Sequence, residues 1–322
     1  MNKKMRGLLI GVILVVVGLA LLGVAMASAG FDFSRLSTRK YVENTYEVGE
    51  WVQHIQIGCD TEEIRFVLSE DGKCRVVCRE DEKEPHAVKA VGDTLTIQSA
   101  NDRKWHFLDF GIFFSGNPAV TVYLPEKAYQ TLTLESGTGD VSVPADFTFQ
   151  SATLQLSTGG VEWKASVEGS LSVQTSTGHI HLSDLTAESV QLKASTGGIR
   201  VEDVTCKGDM EISVSTGSVM LDQVSCRNLS STGSTGSLTL SNTVASDSFT
   251  LKRSTGSIKF AGCDAETIYA TASTGSITGT LRSEKVFIAQ SNTGSVDVPK
   301  TITGGRCELS TSTGRIKIEI EE

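Results

Sequence analysis

The sequence predicts an all-β chain: one right-handed parallel β-solenoid of about ten coils, each 19–20 residues long, behind an N-terminal apolar helix. The first observation behind this is a repeated phrase, Thr-Gly, usually preceded by Ser and followed by one small or polar residue and then Val, Ile or Leu. Its glycines are Gly139, Gly159, Gly178, Gly197, Gly217, Gly236, Gly256, Gly275, Gly294 and Gly314, and every gap is 19 or 20 residues. A period without drift or long insertion marks a stack of like units. The second observation is alternation of apolar residues on both sides of that glycine, which is the period of a strand.

Residues 1–6 hold Lys3, Lys4 and Arg6, and an uncharged stretch follows from Gly7 to Phe31. Its 25 residues are long enough to span a bilayer, and the basic flank predicts a cytoplasmic N-terminus with the remainder exported. The expectation is thus a single-pass signal-anchor over 7–31 that tethers the chain to the cell membrane. A signal peptide cleaved near Ala27-Ser28-Ala29 is the alternative, although the apolar run exceeds the roughly 7–15 residues of a signal core. Residues 32–44 read as a linker.

Residues 45–130 lack the repeated phrase yet are dense in strands, among them His54-Ile55-Gln56-Ile57, Arg75-Val76-Val77-Cys78 and Val120-Thr121-Val122-Tyr123-Leu124. They read as irregular opening coils, because a solenoid needs an atypical end to keep its strand edges from recruiting other chains. Within them, Trp105, Phe107, Phe110, Phe113 and Phe114 concentrate five aromatics in ten residues. That segment is either a plug over the open end or side of the first coils or a partner-binding or membrane-facing patch. The acidic run Glu80-Asp81-Glu82-Lys83-Glu84-Pro85 reads as a solvated turn.

Over 131–322 each coil places apolar pairs before the corner (Leu171 and Val173, Met210 and Ile212) and after it (Ile180 and Leu182, Val219 and Leu221), with a third inward residue such as Val204 or Val224. Backbone groups point along the stack and are satisfied by the next coil, so ten coils make a rod roughly 45–50 Å long. Glycine at the corner suits a turn that needs φ > 0, and the Ser and Thr before it can bond local backbone or form hydroxyl ladders. The last strand carries Lys317, Glu319, Glu321 and Glu322, charges that would blunt the far edge.

Beyond residue 30 the chain holds 26 basic against 38 acidic residues, a net charge of −12, which offers no groove for nucleic acid. Seven cysteines all lie beyond the apolar stretch, and Cys206 and Cys226 occupy equivalent positions of successive coils, where stacking distance favours buried free thiols over a disulfide. Either Cys74 or Cys78 is placed to reach Cys59.

The order of an apolar N-terminus, the opening strand at 54–57, Val120-Thr121-Val122-Tyr123-Leu124-Pro125 and then Ser136-Gly137-Thr138-Gly139-Asp140-Val141 with its repeats resembles the bacterial "putative adhesin" family of domains of unknown function, and is similar to LiaG-like proteins of Gram-positive envelopes. The resemblance covers nearly all residues after about 40. It implies a β-helical fold at the cell surface and brings no catalytic residues. An envelope protein or a glycan is the expected class of partner, which the sequence does not identify, and no cofactor is expected.

Parallel β-helices also include polysaccharide lyases and hydrolases, which need clustered carboxylates on an outward face. The position three residues after each glycine reads Ser142, Glu162, His181, Arg200, Met220, Thr239, Lys259, Thr278, Asp297 and Lys317, without an acidic pair in adjacent coils. Arg315-Ile316-Lys317 resembles a motif of pectin-cleaving hydrolases but lacks its aspartates. His179 and His181 flank an inward Ile180, and two imidazoles do not make a metal site. A non-catalytic surface interaction protein is the expectation, with a carbohydrate-active enzyme as the alternative.

Overall fold

A computed structural model describes residues 3–28, 40–49, 51–99 and 118–321 of the chain. One helix, Lys3–Ser28, precedes an all-β body. Its described apolar side chains, Leu14 and Val24 among them, are exposed. A membrane span needs about 20 consecutive apolar residues, and among the described residues no helix is long and apolar enough to cross a membrane. That finding overturns the single-pass anchor expected over 7–31 and the cell-membrane placement that rested on it.

The body is a stack of coils whose backbone hydrogen bonds run from each coil to the next. Strands before the corner pair in parallel, as Leu171 with Val190 and Val190 with Met210. Strands after it do the same, as Val161 with Ile180, Ile180 with Ile199 and Ile199 with Val219. A third segment stacks Leu185 on Val204, Ala187 on Cys206 and Cys226 on Ala245. The inward residues read from alternation are buried throughout: Leu171, Val173, Met210, Ile212, Ile180, Leu182, Val219, Leu221, Val204 and Val224 are each at most 1% exposed. At about 1.5–3 kcal/mol per buried aliphatic side chain, this file of contacts is the main favourable term in holding the coils together. Near the N-terminal end the interior is filled by aromatics, with Tyr129 against Phe149 at 5.7 Å and Phe149 against Trp163 at 5.6 Å.

All ten repeat glycines have positive φ, between +125° and +151°. The reason is crowding as well as the turn: a Cβ built on Gly217 would stand 1.9 Å from the Gly197 carbonyl oxygen.

The coils do not stack in chain order at either end. At the C-terminal end the coil of Gly275 hydrogen-bonds to that of Gly314 (Gly275 N–H to Thr313 O, 2.9 Å), and the coil of Gly314 to that of Gly294 (Gly314 N–H to Thr293 O, 3.0 Å). The last coil is therefore inserted between the eighth and the ninth. Strand Ile316–Ile320 lies along Ile277–Leu281, and its first two residues are covered by Val296–Asp297. This corrects the expectation that the last strand is the terminal edge. The terminal coil is Lys285–Asp297, where Ile288 and Val296 are exposed. The crossing segment is fixed by Lys285, 3% exposed, whose Nζ lies 2.8 Å from Asp264.

The N-terminal end is permuted likewise. Strands His54–Cys59 and Glu63–Leu68 lie between the outermost pair, Thr94–Gln98 and Ala119–Leu124, and the first repeat coil, Ala128–Thr138 and Val141–Val143. Antiparallel strands then close this end. Ala87–Val91 pairs with Thr94–Gln98, Cys74–Asp81 pairs with Ala119–Leu124, and Tyr41–Val48 pairs with Cys74–Asp81. The last of these begins inside the stretch 32–44 read as a linker, held there by its eight-residue ladder to Cys74–Asp81.

A charge also lies inside the central coils. Arg253 occupies an inward position and is 3% exposed. Space for it comes from the coil before, where Ser231 and Gly233 stand at inward positions, so that a Cβ on Gly233 would meet the guanidinium at 3.0–3.1 Å. Arg253 donates to Ser231 Oγ at 2.9 Å and to the Lys252 carbonyl at 2.8 Å, and burial lowers its pKa to about 10. Exchanging a buried charge for an apolar side chain of similar volume is often neutral or stabilising. Arg253→Met is accordingly expected to unfold at a denaturant midpoint equal to or above that of the parent chain, whereas Gly233→Leu, which overfills the site, is expected to cost about 1–3 kcal/mol.

Candidate functional site

The corner builds a regular surface that runs along the stack of coils. The threonine before each glycine stacks on its counterpart in perfect register: Thr138, Thr158, Thr177, Thr196, Thr216, Thr235, Thr255, Thr274, Thr313 and Thr293 in spatial order. All ten are exposed, as are the serines preceding them from Ser157 to Ser273 and at Ser312. At about 4.8 Å per coil the file is roughly 43 Å long. The sequence allowed for these hydroxyls to bond local backbone or one another. Instead, among the described residues none of them is hydrogen-bonded within the chain, because the sharp turn aims them away from it. Other hydroxyls near the corner do bond backbone, as the inward Thr175 does to the Gly159 carbonyl at 3.2 Å and Thr311 to that of Gly275 at 2.8 Å.

The outward ladder three residues after the glycine is in register from Ser142 through Glu162, His181, Arg200 and Met220 to Lys259. His181 meets a carboxylate that alignment by position missed, since it lies diagonally one coil on: Glu202 Oε2 is 3.0 Å from His181 Nε2, and Arg200 reaches Glu202 Oε1 at 2.5 Å. His179 does not join them and lies over Gly160. Glu202 also stands beside Asp222 in register, an adjacent acidic pair absent from the ladder read in the sequence. Arg200 first, and His181 after it, hold the Glu202 carboxyl down to about 2, so it stays ionised and is no general acid. Arg200→Ala is expected to move the Glu202 titration midpoint upward by about one unit, measured by NMR. Because the folded-state value is depressed, the stability it contributes is present above about pH 4.5 and fades as pH falls toward 2; the partly exposed pair makes that contribution small.

Among the described residues, a dense group of metal-ligating side chains lies in the N-terminal cap. Glu62, Glu80 and His86 are 2%, 1% and 6% exposed; this corrects the solvated-turn reading at Glu80, whereas residues 82–85 of that run do form an exposed turn. Alternation along Cys74–Asp81 turns Cys74, Val76, Cys78 and Glu80 inward. The Glu80 carboxylate accepts from Asn44 Nδ2 (2.6 Å), Tyr46 Oη (2.8 Å) and the His86 backbone N–H (2.5 Å), and its Oε2 lies 2.5 Å from His86 Nδ1. The Glu62 Oε2 accepts from the backbone N–H groups of Asp60 and Thr61, both at 2.7 Å, and from Ser99 Oγ at 3.2 Å. Its Oε1 lies 3.4 Å from His86 Nε2. Burial opposes ionisation of both acids, yet their contacts win: His86 and the Thr61 and Asp60 amides hold Glu62 at about 2, and Asn44, His86 and Tyr46 lower Glu80. Burial likewise pulls the imidazole down, but Glu62 and Glu80 outweigh it and leave His86 raised. Burial first, then nearby carboxylates, raise the thiols of Cys59 and Cys78, the latter to about 12.

The sequence profile of the Toastrack DUF4097 domain matches residues 52–260, more than half of the chain. The chain belongs to that family. Among solved structures, this Toastrack chain is similar to a "putative adhesin" of Parabacteroides distasonis at 13% identity, with 87% of this chain and 98% of that one covered and a TM-score of 0.51. It is also similar to a "putative adhesin" of Parabacteroides merdae (13% identity, 76% and 97% covered, TM-score 0.47) and to a "putative lipid binding protein" of Parabacteroides distasonis (12% identity, 86% and 97% covered, TM-score 0.41). At such identities the first likeness shows the solenoid fold. No curated protein matches the chain.

Of the positions singled out in the sequence, the ten glycines form the corner of the Toastrack stack. The aromatic segment Trp105, Phe107, Phe110, Phe113 and Phe114 lies outside the described residues. All seven cysteines are buried and free, Cys59 included.

Proposed function

We propose that this Toastrack chain is a non-catalytic interaction protein of the cell surface or envelope, and that its contact face is the Thr/Ser file with a neutral glycan as partner. The observation that carries the reading is the exposed file itself, ten threonines deep with hydroxyls that bond nothing else among the described residues. Repeated hydroxyls at a fixed rise suit a repeating, hydroxyl-rich polymer better than a compact ligand, and a net charge of −9 disfavours polyanions. The "putative adhesin" of Parabacteroides distasonis with the same fold supports a surface role.

The test is co-sedimentation of the purified chain with insoluble envelope glycan, with an acidic polysaccharide in parallel. Each hydroxyl hydrogen bond is worth about 0.5–1.5 kcal/mol. Thr196→Val, Thr216→Val and Thr235→Val combined are therefore expected to weaken binding at least about tenfold with an unchanged β circular-dichroism spectrum. Equal binding by the triple variant contradicts the file as the contact face. New reducing ends or unsaturated products released from the glycan contradict the non-catalytic reading.

A further inference from the structure

We propose that Cys59, Glu62 and His86 form a binding site for a soft divalent cation of the Zn²⁺ class, buried in the N-terminal cap. The Cys59 Sγ, a Glu62 carboxylate oxygen and a His86 ring nitrogen lie within 4.8 Å of one another. The His86 Nε2 atom is buried and makes no hydrogen bond, although Glu62 Oε1 is 3.4 Å away. That separation is long for a hydrogen bond between an imidazole and a carboxylate. It matches two ligands of one tetrahedral ion: bonds of about 2.0–2.1 Å at a tetrahedral angle set nitrogen and oxygen roughly 3.3–3.4 Å apart.

The surroundings have the form that metal ligands need. A ligating histidine ordinarily gives its other ring N–H to a carboxylate, and a ligating carboxylate is itself hydrogen-bonded. Here His86 Nδ1 faces Glu80 Oε2 at 2.5 Å, and Glu80 is anchored in turn by Asn44 and Tyr46. Glu62 keeps Oε1 toward His86 while Oε2 is held by the Asp60 and Thr61 amides and Ser99. The Cys59 thiol, within 4.8 Å of both, completes three ligands by moving in toward them. Binding takes Cys59 as thiolate and His86 Nε2 as a lone-pair donor, so protons held by either group in the metal-free chain pass to solvent. The three ligands come from the strand His54–Cys59, the corner after it and the turn before Ala87–Val91, so the ion ties the antiparallel closure to the permuted first coil.

The experiment is titration of the purified full chain with Zn²⁺, and with Co²⁺ as a spectroscopic probe. One equivalent is expected, with a thiolate-to-cobalt charge-transfer band and a raised unfolding temperature in Zn²⁺. Cys59→Ser is expected to abolish the band and the Zn²⁺-dependent rise, Glu80→Gln to weaken binding by about 10–100-fold, and Cys74→Ser to leave all three readouts in place. Should Cys59→Ser not fold, the cobalt spectrum of the parent chain decides alone. Absence of a stoichiometric charge-transfer band in the folded parent, or its persistence in Cys59→Ser, overturns the site.

Discussion

Gly217→Val is expected to cost roughly 4 kcal/mol or more of stability, far beyond an ordinary surface change. Two effects combine. The backbone at Gly217 has φ +151°, where a β-branched residue is strained by about 1–3 kcal/mol. A Cβ there would also stand 1.9 Å from the Gly197 carbonyl oxygen and 2.5 Å from its carbon. Those are backbone atoms of the neighbouring corner, so relief requires the two coils to part and weakens the hydrogen bond from the Gly197 N–H to Thr216 O, now 2.9 Å. In a stack whose stability is a sum of coil and interface terms, the damage should be greatest in the adjoining coils, visible as faster amide exchange there than at either end.

Val219→Asp is expected to be comparably severe, through the core. Val219 is 1% exposed and stacked between Ile199 and Leu238. The change forfeits about 2 kcal/mol of apolar burial and places a carboxyl where nothing compensates it. That carboxyl will have a folded-state pKa above the roughly 3.9 of an unfolded aspartate. With the folded value raised, the penalty is smallest below about pH 4 and grows as pH rises through the folded pKa. Urea midpoints at pH 4 and pH 7 check this: the gap to the parent chain should widen at the higher pH.

The coil itself was legible in the sequence because one register serves all copies. Once Gly217 is aligned with Gly197, alternation assigns Val219 and Leu221 inward and Met220 outward, and the structure places them so. The order of the end coils was not legible, for the same reason. Every coil presents nearly the same edge, so nothing in Ile316–Ile320 says whether it lies against Ile277–Leu281 or Val296–Asp297; the connections decide. The cap cluster was legible in part. Alternation from Cys74 through Val76 and Cys78 points Glu80 inward, whereas the acidic run after it has the composition of a solvated turn. His86 and Glu62 are brought to Glu80 by antiparallel closure, which no local pattern announces. The His181–Glu202 contact is diagonal between coils and escapes any comparison made at one position.

Both the exposed hydroxyl file and the buried core rest on the division of side chains into outward and inward. The measurement that tests it most directly is urea denaturation of Ser218→Val beside Val219→Asp and the parent chain. Ser218 is exposed and adjacent to the buried Val219. The expected result is a Ser218→Val midpoint within about 0.5 kcal/mol of the parent and a large loss for Val219→Asp. A Ser218→Val chain as unstable as Val219→Asp would contradict the assignment, and with it the file of free hydroxyls on the surface.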